Sequence, residues 1–185
     1  MWNHFPILVL YSRPKDFNTT AMMIDPEDLP SLAGNKRKQN KKFIQKLKKR
    51  PPKDLEPQVH AIHEEVFEQI DCLACANCCK TISPVFTDRD IERISRYLRM
   101  KPSDFVDQYL HLYDEDDYVL NVAPCPFLGT DNYCDIYDVR PKACREYPHT
   151  DQRGFINKLH LTLKNTAVCP AAYQVVERMK ETIVV

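Results

Sequence analysis

Glycine is almost absent from this chain of 185 residues, which contains only Gly34, Gly129 and Gly154. Phosphate-binding loops need several glycines within a few positions, because the backbone must approach the ligand closely. Three isolated glycines cannot build such a loop. The sequence therefore argues against P-loop nucleotide hydrolases and against dehydrogenases with a Rossmann dinucleotide fingerprint.

Long apolar runs are also missing. The best candidate, residues 5–11, is far shorter than the roughly 20 residues that span a bilayer. It lacks the basic flank and the small-residue cleavage site of a signal peptide. We therefore predict a cytoplasmic protein that does not associate with a membrane. In a reducing compartment, clustered cysteines bind metal more often than they pair, although disulfides remain the alternative interpretation.

Cysteine, by contrast, is abundant. Four of the eight cysteines lie within eight positions, and the other four are spread over the next 90 residues. A soft, thiophilic metal centre explains this density, because several thiolates must converge on one point. The candidate metal ligands are Cys72, Cys75, Cys78, Cys79, Cys125, Cys134, Cys144 and Cys169.

The first three of these cysteines form a C-x2-C-x2-C run. This spacing lets consecutive thiolates surround one centre while backbone N–H groups face the sulfur atoms. Bacterial ferredoxins place a fourth cysteine at the position that Ile82 occupies here. A remote cysteine must then complete any four-sulfur site. Cys125 and Cys169, which both precede proline, are candidates for that role.

Cys78 and Cys79 are adjacent in the sequence. In an extended backbone, adjacent side chains point to opposite sides, so we expect that the two do not serve one ion equally. One would bind metal while the other faces a second site, a substrate or the core. A vicinal disulfide is the alternative. The eight cysteines allow two four-sulfur sites, or one site with four spare thiols.

Arginine accompanies the cysteines of the second half, at Arg140 and Arg145. An arginine beside thiolates lowers their pKa and partly neutralises an anionic cluster. An ion pair with Asp135, Asp138 or Glu146 is the alternative interpretation. Both remain open at the level of the sequence.

The cysteine motifs follow one another in the order C-x2-C-x2-C-C, C-P-F-L, C-x-I-Y-x2-R-P and C-R-x-Y-P. With this order the chain resembles the YkgJ-like cysteine cluster family, described as a zinc- or iron-chelating domain, over about residues 71–169. The resemblance implies metal chelation by all eight cysteines but no settled reaction. Flagellin lysine-N-methylases, whose centre is regarded as iron–sulfur, are similar in the cysteine pattern. This chain is shorter than those enzymes and lacks their additional region.

Hydrophobic periodicity predicts helices over residues 36–49, 54–70, 87–99, 103–112 and 171–182, and strands over 118–123 and 155–164. The cysteine-rich segment 72–79 is predicted as a loop, and residues 114–117 as an acidic turn. Together these elements predict an α+β fold. We expect a small α-rich domain with a minor antiparallel strand pair around a cysteine-lined metal centre.

Charge is distributed unevenly along the chain. Residues 36–53 contain ten lysines and arginines and no acid, so the remainder carries a net charge of −10 because the whole chain is neutral. A basic helix of this kind binds RNA or anionic surfaces, or it docks on the acidic part of its own chain. We predict that residues 1–53 are an N-terminal extension with a basic arm, partly disordered, and that 54–185 form the cysteine-cluster domain.

These observations favour a metal-chelating protein with an iron–sulfur cluster (4Fe–4S) and a redox or modification-linked role. Two alternatives remain. One is a zinc-stapled structural or interaction module. The other is a metal-dependent modifying enzyme related to the methylases. The expected partner is an unidentified protein or substrate, and the basic segment 36–53 is the place where nucleic acid would bind.

Overall fold

The structure is a computed structural model that describes residues 24–114 and 117–184. The predictions for residues 1–21 and for the middle of the acidic turn lie outside the described residues. The helices are α1 Leu29–Lys49, α2 Leu55–Phe67, α3 Cys72–Cys75, α4 Asn77–Thr81, α5 Asp88–Tyr97, α6 Pro102–Tyr109, α7 Lys142–Arg145, α8 Phe155–Asn165 and α9 Pro170–Thr182. The strands are β1 Val85–Phe86, β2 Leu110–Asp114 and β3 Asp117–Leu120. Short 3-10 helices cover Pro26–Asp28 and Tyr137–Val139.

The helices α1, α2, α8 and α9 enclose the first of two hydrophobic cores. The stripe Phe43, Ile44 and Leu47 of α1 is buried in it together with residues of α2, α8 and α9. The basic side chains lie on the opposite, exposed face of α1, and Lys36 forms an ion pair with Glu177 of α9 at 3.9 Å. The predicted boundary near residue 53 stays a prediction, and α1 shares its core with the helices that follow it.

The three strands and the helices α5 and α6 surround the second core, which is rich in phenylalanine. The strand order is β1-β3-β2, with antiparallel pairing throughout. Within it Phe105 packs against Phe86 and Phe127, with ring centroids about 6 Å apart. The predicted α-rich α+β class is confirmed. The sheet has three strands rather than two, because Val85–Phe86 and Leu110–Asp114 pair with either side of β3.

The strand predicted over residues 155–164 is wrong, since these residues form α8. Phe155, Leu159 and Leu163 also satisfy the i, i+4 spacing of a helix; the first two are buried in the first core, and Leu163 packs against it. The Glu56 carboxylate accepts hydrogen bonds from the backbone N–H groups of Gly154 (2.6 Å) and Phe155 (3.2 Å). It thereby caps the helix from a remote part of the chain.

Local sequence signals predicted two other helices correctly. The capping box of Thr87 and Asp90 opens α5 as predicted, and α9 spans Pro170–Thr182. The helix predicted over 103–112 instead begins at Pro102 and ends at Tyr109, because the chain continues directly into β2. Within residues 24–114 and 117–184, no helix combines the length and apolar character needed to cross a bilayer.

Candidate metal centre

The cysteine-rich segment that connects α2 with the sheet is helical, so its prediction as a loop is wrong. Asp71 caps α3 by accepting a hydrogen bond from the N–H of Leu73 at 2.9 Å. Ala76, with a left-handed backbone (φ 46°), then redirects the chain into α4. Lys80 of α4 donates a hydrogen bond to the Cys75 carbonyl at 3.2 Å. Two single helical turns thus hold the first four cysteines close together.

Cys78 and Cys79 lie side by side in α4, with their Sγ atoms 4.0 Å apart. The expectation that they point to opposite sides is wrong, because adjacent residues of a helix are separated by only about 100°. At this distance the two thiols are in hydrogen-bond contact. This hydrogen bond raises the pKa of Cys78 and lowers that of Cys79. No disulfide joins any of the eight cysteines.

Two cysteines of the second half lie beside α4. The N–H of Cys125 donates to the Cys79 carbonyl at 2.8 Å, which fixes Cys125 next to the vicinal pair. An isolated β-bridge between Leu128 and Cys134 folds the intervening loop back on itself. The N–H groups of Phe127 and Ile136 donate to the thiols of Cys125 and Cys134, respectively. Such donors favour the thiolate, which is the form that binds metal.

Cys169 reaches the cluster from the other side, as the N-cap of α9. Its sulfur accepts a hydrogen bond from the N–H of Ala172 at 3.5 Å. The Asn77 side chain of α4 donates to the carbonyl of Val168 at 2.7 Å, which ties α4 to the start of α9. Sequence reasoning singled out Cys169 because it precedes proline, but gave no role to Asn77.

Burial dominates the electrostatics of the thiols. It raises the pKa of Cys125 and Cys169 to about 11 and that of Cys144 to about 12, and the charges of neighbouring thiols add to the shift. Arg140 partly offsets the shift at Cys144. Its guanidinium lies over the Tyr137 ring at 3.8 Å, and among the described residues no carboxylate pairs with it. Buried thiols of this kind are protonated without metal, so metal binding must release protons.

The thiols are grouped but not tightly converged. Among residues 24–114 and 117–184, no three cysteine, histidine or carboxylate side chains form a ready-made single-ion site. The charges of cysteines from the early and late parts of the chain nevertheless influence one another. Cys144 is affected by Cys79, Cys125 and Cys134, and Cys169 by Cys72. The structure thus brings all eight predicted cysteines into one patch.

Two further side chains, one of them influenced by the thiols of this patch, have unsatisfied polar atoms. The hydroxyl of Tyr147 and the Nδ1 atom of His149 are buried without a hydrogen-bond partner in the described part of the chain. The pKa of Tyr147 is raised by burial and then by the charges of Cys169 and Cys78. Tyr147 belongs to the C-R-x-Y-P motif, so a signal for it existed in the sequence, although the reasoning credited only the cysteine.

A soft metal or an iron–sulfur cluster fits this donor set, which consists of sulfur supported by backbone N–H groups. No curated protein and no solved structure matches the chain. The family model named CxxCxxCC matches residues 71–170, more than half of the chain. This match confirms the resemblance that the cysteine motifs indicated. The chain therefore belongs to the CxxCxxCC family, which is described as a zinc- or iron-chelating domain.

Proposed function

We propose that the chain binds iron–sulfur through thiols drawn from its eight cysteines and has a redox or modification-linked role. The observation that carries the proposal is the single patch formed by thiols from α3, α4, α7, the loop after β3 and the start of α9. A hydrophobic core gains little from gathering so many thiols. A thiophilic centre requires it.

The spread of the thiols favours a cluster over a single ion. Sulfur atoms around one zinc ion lie about 3.8 Å apart, given Zn–S bonds of about 2.3 Å in tetrahedral geometry. In the described residues, no three donor side chains approach each other in this way. A four-iron cluster binds one thiolate at each iron, so its ligands stand farther apart. The C-x2-C-x2-C run and the N–H groups directed at sulfur also support this choice.

A cleft beside the cysteines supports a role beyond structural stapling. It has a volume of about 290 Å³ and is lined by Cys75 and Lys80, among others. Polar side chains from Asp25, Gln69 and Asn77 also line it. Structural metal sites are closed, whereas reactive sites leave access to the centre. This opening is also the place where a substrate would bind if the chain is a modifying enzyme like the methylases it resembles.

Zinc is the second candidate, because four thiolates in a tetrahedral arrangement form a common structural zinc site. Zinc would be redox-silent and would act only by holding the loops that carry the cysteines. Loops without regular secondary structure, such as residues 121–136, support this alternative. In that case the protein would be an interaction module.

Metal analysis of anaerobically purified protein tests the proposal. We expect a brown protein with broad absorbance in the visible blue, iron and acid-labile sulfide. Removal of the metal with a chelator is expected to lower the melting temperature, because metal binding energy contributes to folding. Colourless protein with stoichiometric zinc would establish the second candidate instead. Protein prepared without oxygen that contains neither metal would refute both.

A further inference from the structure

We infer that the cysteines are divided between two separate four-thiol centres, an inference that rests on the proposed function. The first centre uses Cys72, Cys75, Cys78 and Cys169. The second uses Cys79, Cys125, Cys134 and Cys144. The vicinal pair of α4 supplies one ligand to each.

The two hydrophobic cores support this division independently of any charge. Cys169 packs against the first core, between the helices that follow α7. Cys125 and Cys134 pack against the second core, beside the sheet. Cys144 belongs with them, because α7 contacts β1 and the N–H of Lys142 donates to Asp90 of α5 at 3.1 Å. Each core therefore presents its own late cysteines to the α3–α4 segment.

Hydrogen bonds attach the two neighbours in α4 to different partners. Asn77, which precedes Cys78, donates to the carbonyl of Val168 and so places this end of α4 against the start of α9. Cys79 accepts the N–H of Cys125 on its carbonyl at 2.8 Å. Because adjacent helical residues diverge by about 100°, the two side chains can serve two centres that lie side by side.

The buried hydroxyl of Tyr147 indicates that the first centre holds a bound group. Tyr147 follows Cys144 closely in sequence. The thiols whose charges act on it are nevertheless those of the first centre, Cys169, Cys78, Cys75 and Cys72. The carbonyl of Pro148, which accepts a hydrogen bond from Asn165 of α8 at 3.1 Å, holds this segment against the first core. A buried hydroxyl without a partner is costly, and a sulfur atom of the loaded first centre would accept a hydrogen bond from it.

Metal content of matched variants tests the division. Two centres correspond to about eight irons, or about two zinc ions, per chain. We expect Cys75→Ser and Cys134→Ser each to lose about half of the metal, and the double variant to lose nearly all of it. Ala74→Ser, which adds a hydroxyl on the exposed surface of the same turn as Cys75, should retain the full content.

One shared centre predicts a different pattern, in which each single variant loses the same metal and the double variant loses no more. That result would overturn the division while leaving metal binding intact. Native protein without iron or zinc would instead refute the proposed function.

A second measurement avoids variants that fail to fold. The native protein is treated with increasing chelator, its exposed thiols are alkylated, and the modified cysteines are identified by mass spectrometry. Two centres should release their cysteines as two groups of four, with Cys78 and Cys79 in different groups. Simultaneous release of all eight, or of Cys78 together with Cys79, would contradict the inference.

Discussion

At the scale of the residue, Tyr147 is a candidate for a non-ligand side chain that acts on the proposed metal centre. Its hydroxyl is buried without a partner in the part of the chain that the structure describes. The neighbouring charges belong to thiols, from Cys169, Cys78, Cys75 and Cys72. Hydrogen bonds to ligating sulfur stabilise its negative charge and thereby tune both affinity and reduction potential.

We expect Tyr147→Phe to retain the fold and to weaken the first centre. Loss of the donor should reduce metal affinity about tenfold or more, measured by competition with a chelator of known affinity. With an iron–sulfur cluster, the reduction potential should also become more negative, because the reduced state carries more charge. Tyr113→Phe, at a residue whose side chain is 76% exposed, serves as the control. Equal behaviour of the two variants would show that the hydroxyl has no such role.

At the scale of the element, Asp90 connects α5 to the short helix that carries Cys144. The buried carboxylate accepts hydrogen bonds from the Thr87 side chain (2.7 Å) and from the N–H of Lys142 (3.1 Å), and it pairs with Arg93. Burial alone raises the pKa of Asp90, but these hydrogen bonds outweigh it and hold the pKa below its usual value. The ionised form therefore stabilises the folded state.

The sign of this effect gives a pH prediction. Because the folded pKa is lowered, the stabilisation is fully present above the unfolded value of about 3.9 and is lost as the pH falls toward the folded value. We expect Asp90→Asn to lower the free energy of unfolding by about 3 kcal/mol at neutral pH. Urea unfolding at pH 7 and near pH 3.5 should show that this deficit shrinks on acidification.

Asp88→Asn is the matched control, since Asp88 is exposed in the first turn of the same helix. It should cost well under 1 kcal/mol, mainly through the helix dipole. A deficit in Asp90→Asn that is equally small, or that is independent of pH, would contradict the role assigned to this carboxylate.

The elements that the sequence predicted correctly carry their signals locally. The start of α5 could be read from its capping box, and α9 from its apolar stripe. The failures depend on distant residues. α8 is capped by Glu56, which lies 98 residues before Gly154, and the two-residue strand β1 exists only because β3 lies beside it. Residue spacing predicts the eight cysteines as ligands, but which of them lie together in the fold depends on tertiary contacts.

At the scale of the whole molecule, most of the basic residues of segment 36–53 lie on one helix, α1. α1 presents its basic residues on an exposed face and buries Phe43, Ile44 and Leu47 against the other helices. Lys36 of α1 forms an ion pair with Glu177 of α9. Deletion of residues 36–53 would remove part of the core. Charge substitutions are therefore the appropriate test of nucleic-acid binding.

We expect a variant with Lys38, Lys41 and Lys42 changed to glutamine to retain its stability within about 0.5 kcal/mol, because all three side chains are exposed. We also expect unchanged retention of RNA on a filter, since within α1 no exposed aromatic residue accompanies these charges as a stacking platform. Loss of a salt-sensitive RNA complex in this variant would instead establish α1 as a nucleic-acid surface.

The sulfur atoms of Cys78 and Cys79 lie only 4.0 Å apart. This short distance affects how the two proposed centres would take up metal. Two anionic groups held by neighbouring residues repel each other, and burial leaves little water between them to weaken that repulsion. Metal binding at one centre would therefore make metal binding at the other less favourable. Under metal scarcity, half-loaded molecules would accumulate in preference to a mixture of full and empty ones.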